Sequence, residues 1–264
     1  MDWSRIKTIF ILTFLVLDVY LVYQFINTRD AAQYEIPKET TLEEKLKNDD
    51  ISYVEVPEAK NKEQYLSVRA KVFTAEDMEK FKGQSISLGD GTSIEAKLDK
   101  RLQLTGNFEP ADLSAFLKAN IFAGDQYKFW SKNDEAGTIT YYQEYEKKTF
   151  YYNSNAKLTF FLNEDQEVTS YRQTYLEIVD ELSEAEELLP PLRAVDTLYK
   201  KGLLKPKSKI TDFELGYSTL VSLTASHVVT PTWRIEVNGK ENMFVHAFEG
   251  RVIPLTDGEN NTTE

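Results

Sequence analysis

The stretch TIFILTFLVLDVYLVYQFI occupies residues 8–26 and is apolar almost throughout. A helix of this length spans about 28 Å, which is close to the ~30 Å thickness of the hydrocarbon core of a bilayer. Arg5 and Lys7 precede the stretch, whereas basic residues are sparse just after it. Because positive flanks stay in the cytoplasm, the sequence predicts a single-pass cell-membrane protein with a cytoplasmic N-terminus and an extracellular domain.

A cleaved signal peptide is the alternative interpretation of these residues. Such a peptide has a shorter apolar region, followed by small residues in an A-x-A-like pattern. Here Arg29 stands two positions before Ala31, and the apolar region is long. We therefore favour an uncleaved anchor, which together with its flanks forms residues 1–32.

Asp18 is the one charged residue inside the apolar stretch. A carboxylate near the middle of a bilayer costs about 2.5–3.5 kcal/mol on insertion scales, so an inert anchor would carry an apolar residue here. At helical spacing, Phe14, Leu15, Leu21 and Val22 share the face of Asp18. We predict that this face contacts a partner helix within the membrane. The alternative is a tolerated acid that local water defects hydrate. No Gly-x-x-x-Gly motif is present to indicate close backbone packing of two helices.

The overall charge limits the classes of partner. The 264 residues include 31 basic and 43 acidic side chains, a net charge of −12, and no cysteine. A surface with this charge repels phosphate backbones, so we expect no nucleic-acid partner. Without cysteine the domain has neither disulfides nor thiolate metal sites, and its stability must come from an apolar core.

Beyond the anchor, alternating apolar patterns and turn residues predict an α+β fold of short helices and antiparallel sheets. We divide this part into an N-terminal ectodomain at residues 33–107 and a C-terminal ectodomain at residues 108–264. Within the second of these, a helix followed by a run of strands occurs twice, at 108–178 and at 183–255. The residues themselves do not repeat, so an internal duplication is suggested only by the order of the elements.

Two local patterns specify elements early in the ectodomain. Thr41 and Glu44 have the spacing of a capping box, which predicts a short helix from that point. Gly89-Asp90-Gly91 stands between two alternating runs and favours a hairpin turn.

A further set of patterns concerns the acidic residues 177–187. A strand is expected at 167–178, and Ser183 and Glu186 then form a second capping box. This spacing predicts a helix that begins at Ser183 and is interrupted or restarted at Pro190-Pro191. The acidic run becomes the solvated start of that helix, where carboxylates favour the positive end of the helix dipole.

Few residues are suited to catalysis or metal binding. His227 and His246 are the only histidines, and no His-x-x-x-His or His-Glu-x-x-His spacing exists. Two histidines with a carboxylate can bind zinc, but ordinary strand or surface histidines fit this pattern better. We therefore predict that the protein is not an enzyme and has no catalytic residue, no cofactor and no metal.

Both ends of the chain resemble a known family. At the start, the segments MDWSRIKTIFI at residues 1–11, FLVLD at 14–18 and YQF at 23–25 are similar to the start of the YycI (WalI) family. The segments PTWRIEV at 231–237 and FVHAFEGRVI at 244–253 also resemble that family. They are similar, too, to the final strands of PepSY-type modules. The middle of the chain resembles the family mainly in the order of its elements.

This resemblance implies a membrane-anchored accessory protein of the YycFG (WalRK) two-component system, which controls the cell wall in low-GC Gram-positive bacteria. The implied partners are the sensor histidine kinase YycG (WalK) and the companion protein YycH (WalH). Contacts through transmembrane helices and the ectodomain would adjust kinase activity, and the family offers no catalytic residues to carry over. The resemblance leaves open whether the chain also forms a homodimer. The alternative function is an extracytoplasmic PepSY-like binding module or peptidase inhibitor, and a cell-wall enzyme is the interpretation we favour least.

Overall fold

A computed structural model describes residues 3–31, 41–57, 62–79, 81–106, 108–222 and 226–255, with side chains except at 4–6, 26–31 and 222. The polar residues 27–40 are predicted to form a linker, and most of them lie outside the described residues. The polar tail from Thr256 lies outside them as well. The chain forms two compact units, Met1–Asp49 and Asp50–Glu264.

The first unit is helical. Helix α1 runs from Trp3 to Ala31, and α2 runs from Leu42 to Asn48. The predicted capping box is present at α2: the backbone N–H of Glu44 donates to Thr41 Oγ1 at 3.3 Å, and the Thr41 N–H donates to Glu44 Oε2 at 3.2 Å. These bonds satisfy N–H groups that the first helical turn leaves free.

The second unit combines short helices with antiparallel sheets, so the predicted α+β fold class is confirmed. Its described helices are α3 (Ala75–Met78), α4 (Ser114–Asn120) and α5 (Pro191–Lys200). Its described strands are β1 (Ser52–Tyr53), β2 (Lys62–Glu63), β3 (Leu66–Ala70), β4 (Gln84–Leu88), β5 (Ser93–Gln103), β6 (Tyr127–Asn133), β7 (Thr138–Tyr145), β8 (Lys148–Thr149), β9 (Lys157–Leu162), β10 (Glu167–Thr174), β11 (Leu176–Glu181), β12 (Glu186–Glu187), β13 (Lys209–Ser222), β14 (His227–Val237), β15 (Glu241–His246) and β16 (Val252–Ile253).

The first sheet has the strand order β4-β5-β10-β9-β7-β6, and β8 extends it beside β7. All of its pairs are antiparallel, with Tyr171 of β10 opposite Ala96 on one side and Phe160 on the other. The predicted hairpin turn at Gly89–Gly91 connects β4 to β5. Apolar side chains on one face form a core with α4, including Leu117, Ile139 and Phe160. The alternation of apolar and polar residues places these side chains on one face, and at β7 the opposite face is buried as well.

The second sheet has the order β1-β13-β14-β15-β16, with β3 between the start of β14 and β11. β1 is parallel to β13, and the other pairs are antiparallel. Helix α5 packs against β14 through a stripe of buried residues that includes Val195 and Leu198. Trp233 of β14 donates its indole N–H to the carbonyl of Leu189 at 2.9 Å, which fixes the segment that leads into α5.

β14 changes its neighbour on one side part-way along its length. Residues His227–Val229 pair with β3, whereas Thr232–Val237 pair with β15. Pro231 lies between these two regions and has no N–H to donate, so it suits the point where the ladder is interrupted. Its carbonyl accepts the N–H of Ala247 at 2.9 Å.

The two sheets are joined through backbone contacts at β13. Phe150 and Tyr217 form a parallel bridge, and the N–H of Tyr151 donates to the Tyr217 carbonyl at 2.8 Å. The rings of Phe150 and Tyr217 stack with centroids 5.5 Å apart. Gly216 permits this approach, since a Cβ at that position would lie 2.4 Å from the Thr149 carbonyl oxygen and from the Tyr151 ring.

The predicted ectodomains at residues 33–107 and 108–264 both contribute strands to each of the two sheets. β4 and β5 belong to the first sheet with β10, while β3 belongs to the second sheet between β11 and β14. Strands on each side of position 107 therefore complete one another in both sheets. The order of a helix followed by strands does occur twice, with α4 before β6–β10 and α5 before β13–β16.

The predicted helix start at Ser183 is wrong. Glu186 and Glu187 instead form β12, which pairs with β2, and α5 begins at Pro191. Proline suits the first helical turn because its missing N–H would have no partner there. The acidic run 177–187 is consequently not a helix start: most of β11 and all of β12 lie within it. The expected strand at 167–178 divides at Tyr175, where the chain leaves the first sheet and enters the second.

Replacing Gly216 with alanine should reduce the free energy of unfolding by about 3 kcal/mol, because the added methyl group meets backbone that cannot rotate away. Thermal and chemical unfolding of the full-length chain in detergent micelles would measure the loss. Gly106→Ala is the matched control, since no heavy atom lies within 4 Å of its added Cβ. Equal stability of the two variants would contradict the close packing at the sheet junction.

Candidate functional site

Helix α1 is the described helix that is long and apolar enough to cross a membrane. Its candidate membrane span is Lys7–Phe25, which has a mean hydropathy of 1.9. None of this span is buried by the rest of the protein. An apolar helix whose side chains find no cover in its own fold must be covered by lipid or by other protein.

Asp18 lies on an uneven side of this helix. A shallow concavity is lined by Asp18 together with Phe10, Ile11, Phe14 and Leu15. The rings of Phe10 and Phe14 stack with centroids 6.0 Å apart and form one wall. Asp18 makes no hydrogen bond or ion pair with any residue that the structure describes. Its carboxylate is therefore free to accept a hydrogen bond from outside the chain.

The structure brings together part of the predicted set and adds to it. Phe14 and Leu15 line the concavity with Asp18, whereas Leu21 and Val22 are exposed one turn further along and are not part of its lining. The helical spacing of three and four residues from Asp18 did not predict Phe10 and Ile11. Side chains of a helix tilt toward its N-terminus, so the carboxylate of Asp18 lies over the preceding turns. That tilt is the signal that favours Phe10 and Ile11 over the following turn.

The two basic residues that predict orientation both lie at the start of α1. Lys7 is exposed, and its Nζ lies 5.7 Å from the ring centroid of Trp3. Arg5 is within the helix, but its side chain is outside the described residues. A cation over an indole ring suits a membrane–water interface, where one end of the pair is wet and the other apolar.

The charged groups of the second unit concentrate where its two sheets meet. Arg234 Nη2 lies 2.7 Å from Glu214 Oε2 and 2.6 Å from Asp212 Oδ2, and the guanidinium is 5.6 Å from the Trp130 ring centroid. Lys128 Nζ lies 2.7 Å from Glu214 Oε1. Burial raises the pKa of Glu214, but Lys128 and Arg234 outweigh it and hold that pKa below its ordinary value. Arg234, Asp212 and Glu214 lie in the second sheet and Lys128 lies in the first, so the Lys128–Glu214 pair is the one of these that links the two sheets.

Both histidines have structural surroundings. The ring of His246 is fully buried: its Nδ1 accepts the N–H groups of Phe248 and Glu249 at 3.3 and 3.2 Å, and its Nε2 lies 3.1 Å from Thr230 Oγ1. This pattern requires a neutral ring with the proton on Nε2. His227 Nε2 lies 3.2 Å from the side-chain nitrogen of Asn155. Burial lowers the pKa of each histidine. Among the described residues, no group of three His, Asp or Glu side chains is arranged to hold a metal ion.

Comparisons with known proteins identify one family. The sequence profile of the YycI protein family matches residues 31–248. The matched region begins at the last residue of α1, so it covers most of the chain that follows α1. A search among curated proteins finds no match.

Two solved structures are similar to the chain at low identity. A crystal structure of an uncharacterized protein from Eubacterium rectale aligns with a TM-score of 0.46 and 10% identity, covering 78% of this chain and 89% of that one. The C-terminal domain of YpeB from Bacillus megaterium aligns with a TM-score of 0.37 and 10% identity, covering 70% of this chain and 86% of that one.

Acidification should destabilise the ectodomain through its histidines. Their pKa values are lowered in the fold, so the unfolded chain binds protons first, near pH 6.5. Stability is fully present above that pH and falls as the pH drops toward the folded-state values, by at most about 1.4 kcal/mol per pH unit for each histidine. Chemical unfolding of the full-length chain at a series of pH values between neutral and mildly acidic would measure the slope.

His246→Asn provides the comparison, because an amide oxygen can still accept the two backbone N–H groups without titrating. This variant should show a shallower slope than the parent chain. An unchanged slope would mean that His246 does not carry the pH dependence.

Proposed function

Since this chain belongs to the YycI family, whose members are regulatory accessory proteins of the YycFG two-component system, we propose how it acts. It is held in the cell membrane by α1, with the N-terminus in the cytoplasm and the ectodomain outside. It modulates the sensor histidine kinase YycG (WalK), together with the companion protein YycH (WalH), through contacts of α1 and of the ectodomain.

The observation that carries this proposal is the unpartnered carboxylate of Asp18. The carboxylate stands beside a concavity between Phe14 and Leu15 on a helix that the protein itself does not cover. An isolated charged group in hydrocarbon is costly, and a hydrogen-bond donor on a neighbouring helix reduces that cost. Selective pairing with a partner helix therefore gives the residue a role that an inert anchor lacks.

The ectodomain supports a binding role rather than a catalytic one. Its buried Arg234 is engaged by carboxylates, and His246 is held neutral by backbone N–H groups, so neither is poised as a base or nucleophile. A rigid two-sheet domain without such a group is suited to presenting surfaces to other proteins. We accordingly propose that the protein acts by contact.

The orientation of α1 gives a direct test. A reporter enzyme that is active only outside the cytoplasm, fused after Glu264, should be active because Arg5 and Lys7 retain the N-terminus inside. Reversing both charges, with Arg5→Glu and Lys7→Glu, should lower that activity at equal protein level. A stable but inactive fusion of the parent chain would contradict the orientation.

The role of Asp18 is tested by separating its polarity from its volume. Asp18→Leu should insert at least as well but bind the kinase several-fold less, because intramembrane polar contacts contribute about 0.6 kcal/mol on average and rarely more than about 2 kcal/mol. Asp18→Asn keeps hydrogen bonding at similar size and should retain most of the association. Co-purification with the sensor kinase from membranes at matched expression measures both.

Two controls complete this experiment. Val16→Leu changes an exposed residue on another side of the helix and should leave binding unchanged. Val16→Asp combined with Asp18→Leu moves the carboxylate around the helix and should not restore binding. If Asp18→Leu binds and regulates as well as the parent, the carboxylate is merely tolerated. If an unrelated span can replace all of α1 without loss, a PepSY-like binding module or peptidase inhibitor becomes the better description.

A further inference from the structure

One surface of the ectodomain is basic although the chain as a whole carries a charge of −12. It surrounds the segment between α5 and β13, whose sequence from 198 to 211 is LYKKGLLKPKSKIT and contains no acidic residue. We call it the lysine surface, and it consists of the exposed residues Lys201, Leu203, Lys205, Lys207, Lys209 and Lys240.

The segment that carries these residues is fixed to the fold. α5 closes with a turn in which Gly202 has a φ of 68° and the N–H of Leu203 donates to the Leu198 carbonyl at 3.0 Å. Leu204 is buried, and the N–H of Ser208 donates to the Lys205 carbonyl at 3.2 Å. Leu203, by contrast, keeps 42% of its surface exposed among the lysines.

The turn between β14 and β15 completes the surface. The N–H of Asn238 donates to the Lys209 carbonyl at 2.7 Å, and the Lys209 N–H donates to Asn238 Oδ1 at 2.9 Å. Lys240 follows in the same turn. The five lysines therefore lie on neighbouring segments that hydrogen bonds hold together.

The charges of these lysines are not paired within the described part of the protein. None of the five forms an ion pair with a described residue, whereas the adjacent Lys200 lies 2.7 Å from Asp196 and is excluded from the set for that reason. Glu241, Asp50 and Glu55 are exposed acids that adjoin the surface in sequence or at the neighbouring strand β1. Five unpaired lysines outnumber them, so the surface keeps a positive potential despite the acidic remainder of the ectodomain.

The chain also enters the second unit at this surface. Ser52 of β1 pairs with Lys209, and its N–H donates to the Ser208 carbonyl at 3.1 Å. Tyr53 pairs with Ile210 and is 37% exposed. The segment that arrives from α1 is thus bonded directly to the backbone that carries the lysines, so this part of the ectodomain has the shortest covalent path to the anchor.

We propose that the lysine surface docks the ectodomain on anionic lipid headgroups of the bilayer that holds its own anchor helix. The lysine ammonium groups would contact lipid phosphates, while Leu203 and Tyr53 enter the interfacial layer, the arrangement used by peripheral membrane-binding segments. The contact gives the domain a preferred orientation above the membrane. A discrete soluble anion fits less well, because the lysines are exposed and spread over three parts of the chain, which are the connection after α5, the start of β13 and the turn between β14 and β15.

Site-specific fluorescence in membranes tests this proposal on the full-length chain. The chain contains no cysteine, so Pro206→Cys attaches one fluorophore within the lysine surface, and Asp165→Cys attaches one at a turn of the other sheet. Both proteins are reconstituted into vesicles of phosphatidylcholine, alone or mixed with phosphatidylglycerol, with a nitroxide quencher on a headgroup. The label at 206 should be quenched several-fold more in the anionic vesicles, and the label at 165 should be equally accessible in both.

Salt and charge reversal supply the controls. High salt should remove the extra quenching, because interactions between exposed charges are screened over about 10 Å at 0.1 M. Each lysine near an anionic surface changes the ratio of docked to undocked molecules by about fivefold. Lys201→Glu, Lys205→Glu and Lys207→Glu together should therefore lower that ratio about a hundredfold. Reversal of the exposed Lys97, Lys100 and Lys118 gives the same net charge and should leave quenching at 206 unchanged.

The proposal is overturned if quenching at 206 is the same in neutral and anionic vesicles, or if it is indifferent to salt. It is equally overturned if the two triple reversals act alike, since net charge and not this surface would then govern the contact. The salt series uses the parent lysines, so it decides the matter even if the reversed variant unfolds. Because no kinase is present, the outcome is independent of the role proposed for Asp18.

Discussion

The close approach of Tyr151 to Gly216 is the constraint on which the second unit depends. The two sheets become one unit where the segment after β8 bonds to the edge of β13. No side chain larger than hydrogen fits at Gly216. The ion pairs of Arg234 and Glu214, and the aromatic contacts of Trp130 with Tyr151, form around that junction. Arg234 and Glu214 pair within the second sheet, whereas Lys128 of the first sheet pairs with Glu214 across the junction. Such pairs contribute little net stability by themselves, and their value here is in specifying which groups face each other.

Helix α1 and the second unit use charge in opposite ways. In the ectodomain, burial of Arg234 is matched by carboxylates within hydrogen-bonding distance. Asp18 in α1 has no such partner among the described residues. A group of this kind gives the helix a preference among neighbours, because a neighbouring helix with a hydrogen-bond donor lowers its energy more than one without.

Local patterns in the sequence were sufficient for some elements and misleading for others. The apolar stretch, the capping box at Thr41 and the hairpin turn at Gly89–Gly91 depend on neighbouring residues, and each is present. The helix expected at Ser183 failed because the pairing of β12 with β2, more than a hundred residues away, overrides the cap. Alternation reveals which residues of a strand face the core, but it does not reveal which strand lies beside it. For the same reason the exchange of strands between the two predicted ectodomains was invisible, as was the change of sheet at Tyr175.

The position of β3 has a consequence for the order in which the protein matures. Val68 pairs with Ile178 on one side and with His227 on the other, and Ser52 pairs with Lys209. The partners of both early strands are therefore made much later than the strands themselves. A chain that emerges from its N-terminus can form the local hairpins β4–β5, β6–β7 and β9–β10 while β3 still has no neighbours. Pairing over such sequence separations is slow because closing the intervening loop costs entropy before any stabilising contact forms. Until β11 and β14 are made, β3 leaves an open strand edge, and the hazard at that stage is association between incomplete copies. If α1 anchors the chain as we propose, tethering limits that hazard, since chains held in a bilayer meet only by lateral diffusion.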